Sequence, residues 1–282
     1  MKIFFLLIIL GCTLFTVSGQ VYNAADSTYY ADSSFTTTYI GESVVSYENG
    51  HIKSKQQFVN GKAHGELISY YENGQINSKS NYVNGVEQGE CVLYFENGQS
   101  LYTINLVNGE LQGPYFLYFG NGVIYQNGNY LDGVNNGDWF EYYESGKVRY
   151  KLFYVNGVQE GESYSYYKSG KLQCKSNFKN GMLHGDYLYY NESGQLINKL
   201  TYFEGEPDGL DTWYFPNGTI AKRKNYVKGK LQGEEVCYFE NGNIKYKRIF
   251  DEGVLDGKSI YYNESGKVEC KEVYTSGVEK NK

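Results

Sequence analysis

The chain has 282 residues, with 26 Lys and Arg against 32 Asp and Glu, for a formal net charge of −6. No basic block occurs in it, which argues against a nucleic-acid partner. Tyrosine, at 32 residues, is the compositional outlier, and its spacing sorts the faces of the protein below.

In chain order, residues 1–19 read as a secretory signal peptide. Lys2 is a minimal positive start, residues 3–10 are apolar, and Val17-Ser18-Gly19 offers small residues for cleavage before Gln20. The apolar stretch is too short for a stable membrane span. The rival reading is lipoprotein processing at Cys12 within Ile9-Leu10-Gly11-Cys12; the greasy Thr13-Leu14-Phe15 that follows favours simple export. Residues 20–40 have no repeat phase, but Tyr29-Tyr30-Ala31-Asp32-Ser33 echoes the repeats. A degenerate cap over the first edge strand is expected there.

From Gly41 the same pattern returns every 24 residues. One glycine ladder runs from Gly41 to Gly257, a second from Gly50 to Gly266 and a third from Gly61 to Gly277, each with ten members. Residues 41–280 are therefore ten repeats in one domain, with stability shared between neighbours. Taking each first-ladder glycine as position 0, alternating residues occupy positions 1–7 and a second strand-like run follows position 9. Position 8 is Asn in six repeats and Ser in four, and position 9 is always Gly. Asn-Gly between alternating runs is a hairpin signal, and the expected turn is type I′, with positive φ at both residues. The fold class expected is all-β: an elongated single-layer antiparallel meander of ten hairpins, about twenty strands in all.

That turn pairs position 6 with 11 and 5 with 12, and period two then assigns faces. Positions 6 (aromatic in eight repeats), 11 (aliphatic in nine) and 17 (aromatic in nine) form the apolar side. Opposite them stands a tyrosine ladder at position 5, the candidate ligand-facing surface: Tyr70, Tyr94, Tyr118, Tyr142, Tyr166, Tyr190, Tyr214, Tyr238 and Tyr262. Beside it, position 14 is Lys or Arg in eight repeats, and positions 1 and 7 are mostly acidic, a pattern for small cross-strand ion-pair gains. In Tyr189-Tyr190-Asn191 and Tyr261-Tyr262-Asn263 the aromatic pair shifts back by one, so a local bulge or altered turn is expected. The charged residues 279–282 blunt the far edge.

These repeats resemble the MORN repeat in its bacterial variant form. The matching text is Tyr70-Tyr71-Glu72-Asn73-Gly74 with Tyr82-Val83-Asn84-Gly85, and the Asn-Gly-x-x-His-Gly stretches at 60–65 and 180–185. The resemblance implies a non-catalytic scaffold that binds proteins or, in some cases, membranes. Many bacterial variant-repeat proteins also carry an antitoxin label, which comes with the family and from no residue here. A weaker similarity is to the aromatic-rich cell-wall-binding repeats of surface proteins.

Chemistry-bearing residues are sparse. His64 and His184 share a repeat position too far apart to share a metal, and they read as turn-proximal side chains; His51 reads as solvated. Cys91, Cys174, Cys237 and Cys270 are expected as free thiols filling small apolar gaps. The nearest pair, Cys237 and Cys270, would lie three strands apart, about 14 Å at ~4.8 Å per strand, against the ~7 Å a disulfide allows. No HExxH, phosphate-binding loop or paired CxxC occurs, so no cofactor, metal or catalytic residue is expected. Asn191, Asn217 and Asn263 open glycosylation sequons at hairpin turns, which matter only in a eukaryotic source. The reading that results is an exported, non-catalytic scaffold for a protein partner, for a cell-envelope glycan or for itself. Membrane association is not indicated.

Overall fold

The computed structural model describes residues 21–23, 28–31 and 38–280; the expected signal peptide, Cys12 and the last two residues lie outside these. Regular structure among the described residues is entirely β. It divides into two compact units, Met1–Val123 with Tyr130–Gly133, and Ile124–Asn129 with Val134–Lys282.

Each unit is an antiparallel meander of one repeated hairpin. In the repeat opening at Gly89, the outgoing strand is Gly89–Tyr94, the returning strand is Ser100–Val107, and a short strand, Glu110–Leu111, leads on. The short strand and the next outgoing strand make one run, interrupted at the position-0 glycine. In the second repeat that run is unbroken, from Lys62 to Tyr70. The expected count of about twenty strands therefore holds for runs, while the short strands stand apart.

The body of each hairpin has the expected register: Gly89 pairs with Leu106, Cys91 with Ile104 and Leu93 with Tyr102. The turn does not. Phe95 N–H donates to Gln99 O at 2.7 Å and Gly98 N–H to Phe95 O at 2.9 Å, leaving the three-residue loop Glu96-Asn97-Gly98. Only the glycine there has positive φ, 82°. This is a type I turn closed by a glycine bulge, and the asparagine serves another purpose: Asn97 Oδ1 accepts the Gln99 N–H at 3.0 Å. The type I′ turn sits instead at the second loop, where Asn108 (φ 52°) and Gly109 (φ 82°) join paired Val107 and Glu110.

The longer loop pairs position 5 with 11 and bulges position 12, as in Tyr94 with Ser100. Position 11 thus leaves the side expected for it, and position 12 takes its place over the position-6 ring. Lys53 lies 5.4 Å from the centre of the Tyr47 ring, Arg149 5.8 Å from Tyr143 and Lys245 5.6 Å from Phe239. The bulge expected at Tyr190 and Tyr262 is present, but it is not peculiar to them and the turn is not altered. The same bulge recurs along the array, for example between Leu93 and Tyr94 and between Glu141 and Tyr142, and Asn191 N–H still donates to Gln195 O at 2.9 Å. With Ser at position 8, Asn191 Oδ1 accepts the Gln195 N–H from position 6, at 3.0 Å, and Asn263 does the same for Lys267 at 2.9 Å.

The deepest row is position 2, which the apolar periodicity did not single out. Cys91, Trp139 and Ser259 there are all buried. Position-17 rings meet position-2 rings edge-on, Tyr115 with Tyr130 at 5.7 Å in the first unit and Trp139 with Tyr154 at 6.2 Å in the second. Repeats are then stitched to their neighbours. Position-6 hydroxyls donate to the next repeat's position-5 carbonyl, Tyr71 to Tyr94 at 2.6 Å and Tyr143 to Tyr166 at 2.7 Å. Several position-23 side chains accept the N–H that opens the next type I′ turn, as Gln88 does from Asn108 at 2.7 Å.

All four described cysteines are free. Cys237 and Cys270 lie on one row, linked through paired Tyr246 and Tyr261, three strands apart. Cys91 fills the core as expected, but Cys270 is exposed and fills nothing, because it lies on the last long strand of the meander. At the other end, Val21–Asn23 pairs with Thr28–Tyr30. Tyr29 N–H donates to Gly61 O at 2.8 Å, and the Tyr29 and Tyr39 rings pack edge-on against Phe58 at 5.1 and 5.7 Å.

Candidate functional site

The position-5 tyrosines, Tyr70 through Tyr262, are all half-buried. Alternation along the outgoing strand puts them beside position 3. Phe116 stacks on Tyr118 at 6.4 Å in the first unit, and Phe140 on Tyr142 at 6.2 Å in the second. Arg223 lies 5.7 Å from the Tyr238 ring centre and donates to its hydroxyl at 2.7 Å. The carbonyls of Tyr70, Tyr94, Tyr166 and Tyr190 each receive a neighbouring repeat's hydroxyl. The ladder is therefore bound into the sheet at these points and offers only a minor part of each side chain to solvent.

The expected ion pairs form beside it. Position 14 meets position 1 in Lys151–Asp138 (3.6 Å), Lys175–Glu162 (2.5 Å), Lys199–Asp186 (3.0 Å) and Lys247–Glu234 (3.5 Å). Lys175 and Tyr164 hold the Glu162 carboxyl below its usual range, and Glu162 raises both partners. These pairs are exposed, so each contributes little to stability.

The other perturbed groups move away from neutrality. Burial, with Glu87 beside it, pushes the Cys91 thiol up to about 12. Burial raises Tyr102 and Tyr246 to about 12, and raises Tyr187 as well. His51 is exposed, its Nδ1 2.7 Å from Glu72 O. His64 Nδ1 and His184 Nδ1 are buried without hydrogen-bond partners, and the His184 ring lies 5.1 Å from that of Phe203. Among the described residues no group of three or more His, Cys, Asp or Glu is placed to hold a metal ion.

Two features escaped the sequence reading. The first is a row of exposed apolar side chains flanking the type I′ turns, at position 18, position 21 or both, interleaved with charged residues such as Glu110, Lys179 and Lys230. It includes Val83, Val86 and Val107 in the first unit, and Val155, Val158, Met182, Phe203, Val227 and Val254 in the second, with exposures from 41% to 51%. The signal was present as Val-Asn-Gly-Val text but was read only as a turn. The second is a change of chemistry on the position-2 row in the second unit, where Asp211 and Glu235, both buried, replace aromatic and small residues. Asp211 accepts from Asn198 Nδ2 at 2.6 Å and Trp213 Nε1 at 3.1 Å, and pairs with Lys224 at 3.3 Å. Burial opposes the Lys224 charge, yet Tyr226 and Asp211 outweigh it and its pKa ends raised.

The profile of the MORN repeat variant matches eight stretches, residues 39–60, 63–84, 135–156, 159–180, 183–204, 207–228, 231–252 and 255–275, together more than half of the chain. The chain belongs to the MORN repeat variant family. MORN repeats are in general protein- or membrane-binding modules. No curated protein matches the chain. Among solved structures, the crystal structure of TcdB2-TccC3-Cdc42 matches at 12% identity and a TM-score of 0.16, over 90% of this chain but only 16% of that one. A protein described as a candidate 6-phosphogluconolactonase from Bacteroides uniformis matches at 13% identity and a TM-score of 0.13, over 93% of both chains. Likeness at that level carries no functional argument for these MORN repeats.

Proposed function

We propose that this MORN repeat protein is an exported, non-catalytic scaffold that binds a protein partner along its type I′ turns. The carrying observation is that an exposed apolar side chain stands at position 18, position 21 or both in every repeat, as Val155 and Val158 do together and Met182 does beside Lys179. One exposed valine on a surface means nothing, but a row of them at adjacent turns is the kind of contiguous apolar patch that marks an interface. Several of these turns are pre-organised, since their opening N–H is held by the preceding repeat, as Gln112 Oε1 holds Asp132 N–H at 2.8 Å and Glu160 Oε1 holds Asn180 N–H at 2.7 Å. A rigid apolar strip binds with little ordering cost. The non-catalytic part of the reading is supported by the direction of the shifts: the buried thiol and phenols are held in their unreactive protonated forms. The export part rests on residues 1–19.

The test is a double substitution, Val158→Lys with Met182→Lys. Lysine already stands at position 21 in Lys62 and Lys230, so the hairpin tolerates it. Chemical cross-linking in the native source and sedimentation of the purified protein would be compared with the unchanged chain. Loss of the cross-linked protein partner, or of self-association, is expected. Unchanged association in the folded variant would remove the turn row as the interface.

A further inference from the structure

The eighth repeat carries the smallest side chain at position 12. In three repeats a position-12 cation lies over the position-6 ring, namely Lys53, Arg149 and Lys245. In the eighth repeat position 12 is Ala221, the smallest residue found there, and the ring below it is Phe215. A cavity of about 400 Å³ opens at this point, lined by Trp213, Phe215, Ala221, Lys222, Tyr238 and Lys245 among others.

Its walls are built rather than incidental. The two tryptophans of the chain differ sharply: Trp139 is 3% exposed in the core, whereas Trp213 is 43% exposed. The Trp213 indole is nevertheless fixed, because its N–H donates to Asp211, itself 3% exposed and held by Asn198 and Lys224. The buried charge beneath the sheet is thereby accounted for as the orienting support of an exposed ring. Two ammonium groups line the same cavity. Lys222 Nζ is 3.9 Å from Glu235 Oε1, and Lys245 lies over the neighbouring Phe239 ring. Lys245 keeps no ion-pair partner among the described salt bridges.

We infer that this cavity binds one carboxylate-bearing pyranose, an acidic sugar residue of a polysaccharide. The apolar face of the ring stacks on Trp213 and Phe215, and the carboxylate is taken by Lys245 with Lys222. A peptide segment fits less well. The backbone around the cavity is already used, with Lys222 paired to Trp213 on one side and to Cys237 on the other, so no free N–H or C=O row remains for an added strand. A sugar needs no such row. The inference stands apart from the turn-row interface, since it uses none of those residues.

Tryptophan fluorescence reads the site directly, because Trp139 is buried and Trp213 carries the response. Titration with a galacturonate trisaccharide is expected to give a saturable change, while the neutral glucose trisaccharide gives a response weaker by roughly tenfold or more, for want of the charge-assisted contact. Ala221→Lys refills the gap with the residue that covers the ring in other repeats, so it leaves the fold intact by far-UV dichroism and abolishes the change. Trp213→Phe, which folds whether or not the sugar binds, weakens galacturonate retention on an affinity column. The inference is overturned by no response to galacturonate, by an unchanged response in Ala221→Lys, or by an equal response to an acidic hexapeptide. The Val158→Lys, Met182→Lys protein should still respond in full, which separates failure of this site from failure of the turn row.

Discussion

Single residues in this repeat are set by what lies on the neighbouring strand. Gly128 is the clearest case. Its φ is ordinary, yet a Cβ there would come within 1.9 Å of the Trp139 ring, so the glycine exists to admit the indole. Gly128→Ala should destabilise the protein by about 1–3 kcal/mol through overpacking, read as a lowered midpoint in urea. If the midpoint does not move, the indole is not seated against this strand. The tyrosines at position 5 follow the same logic. The sequence singles them out as a ligand face, and each is half-buried, several of them bound by a carbonyl, as Tyr94 is, or by a ring, as Tyr118 and Tyr142 are. Their spacing was legible; the fraction of each ring left to solvent was not, since that depends on Phe116, Phe140 and their equivalents alongside.

At the scale of the hairpin, the position-10 N–H of the turn can find a side-chain acceptor at either of two positions. Asn97 supplies it from position 8, and Asn191 supplies it from position 6 where position 8 is Ser193. Asn191→Ala should therefore cost about 0.5–1.5 kcal/mol, the worth of one hydrogen bond, and adding Ser193→Asn should restore most of it. A double variant no more stable than the single one would refute the exchange. The sequence offered both asparagines, but it could not show which Asn-Gly was type I′. The two loops have nearly the same text, and they differ only in how many residues the ladder leaves unpaired. That single residue moved position 12 over the position-6 ring, and so made Ala221 matter.

Across the whole molecule, burial has placed phenols and a thiol where only their neutral forms are stable. Cys91 rises from 9.0 to about 12, and Tyr102 and Tyr246 from 10.0 to about 12. Each is an acid whose folded pKa lies above its unfolded one. The stabilisation is complete below the unfolded values and is lost as pH rises through the folded ones. Unfolding on the alkaline side should thus run between about pH 9 and 12, with tyrosinate absorbance and loss of far-UV dichroism rising together. Ionisation of these phenols well before any loss of structure would contradict the burial. The exposed pair Glu162–Lys175 works the other way, favouring the fold above the unfolded carboxylate pKa, but solvent screening keeps it minor.

The period, the hairpin, the body register and the two faces were determined by the sequence alone, because glycine spacing and alternation are local properties of the chain. The mean pattern repeated ten times is also what hid the exceptions. Which loop is type I′, that position 2 is the deepest row, that apolar side chains stand exposed beside the turns, and that a cavity opens at Ala221 beside an anchored Trp213 were decided by tertiary structure. Each of these depends on which side chain stands across the ladder from which, a relation set by one bulged residue whose position no local propensity specifies.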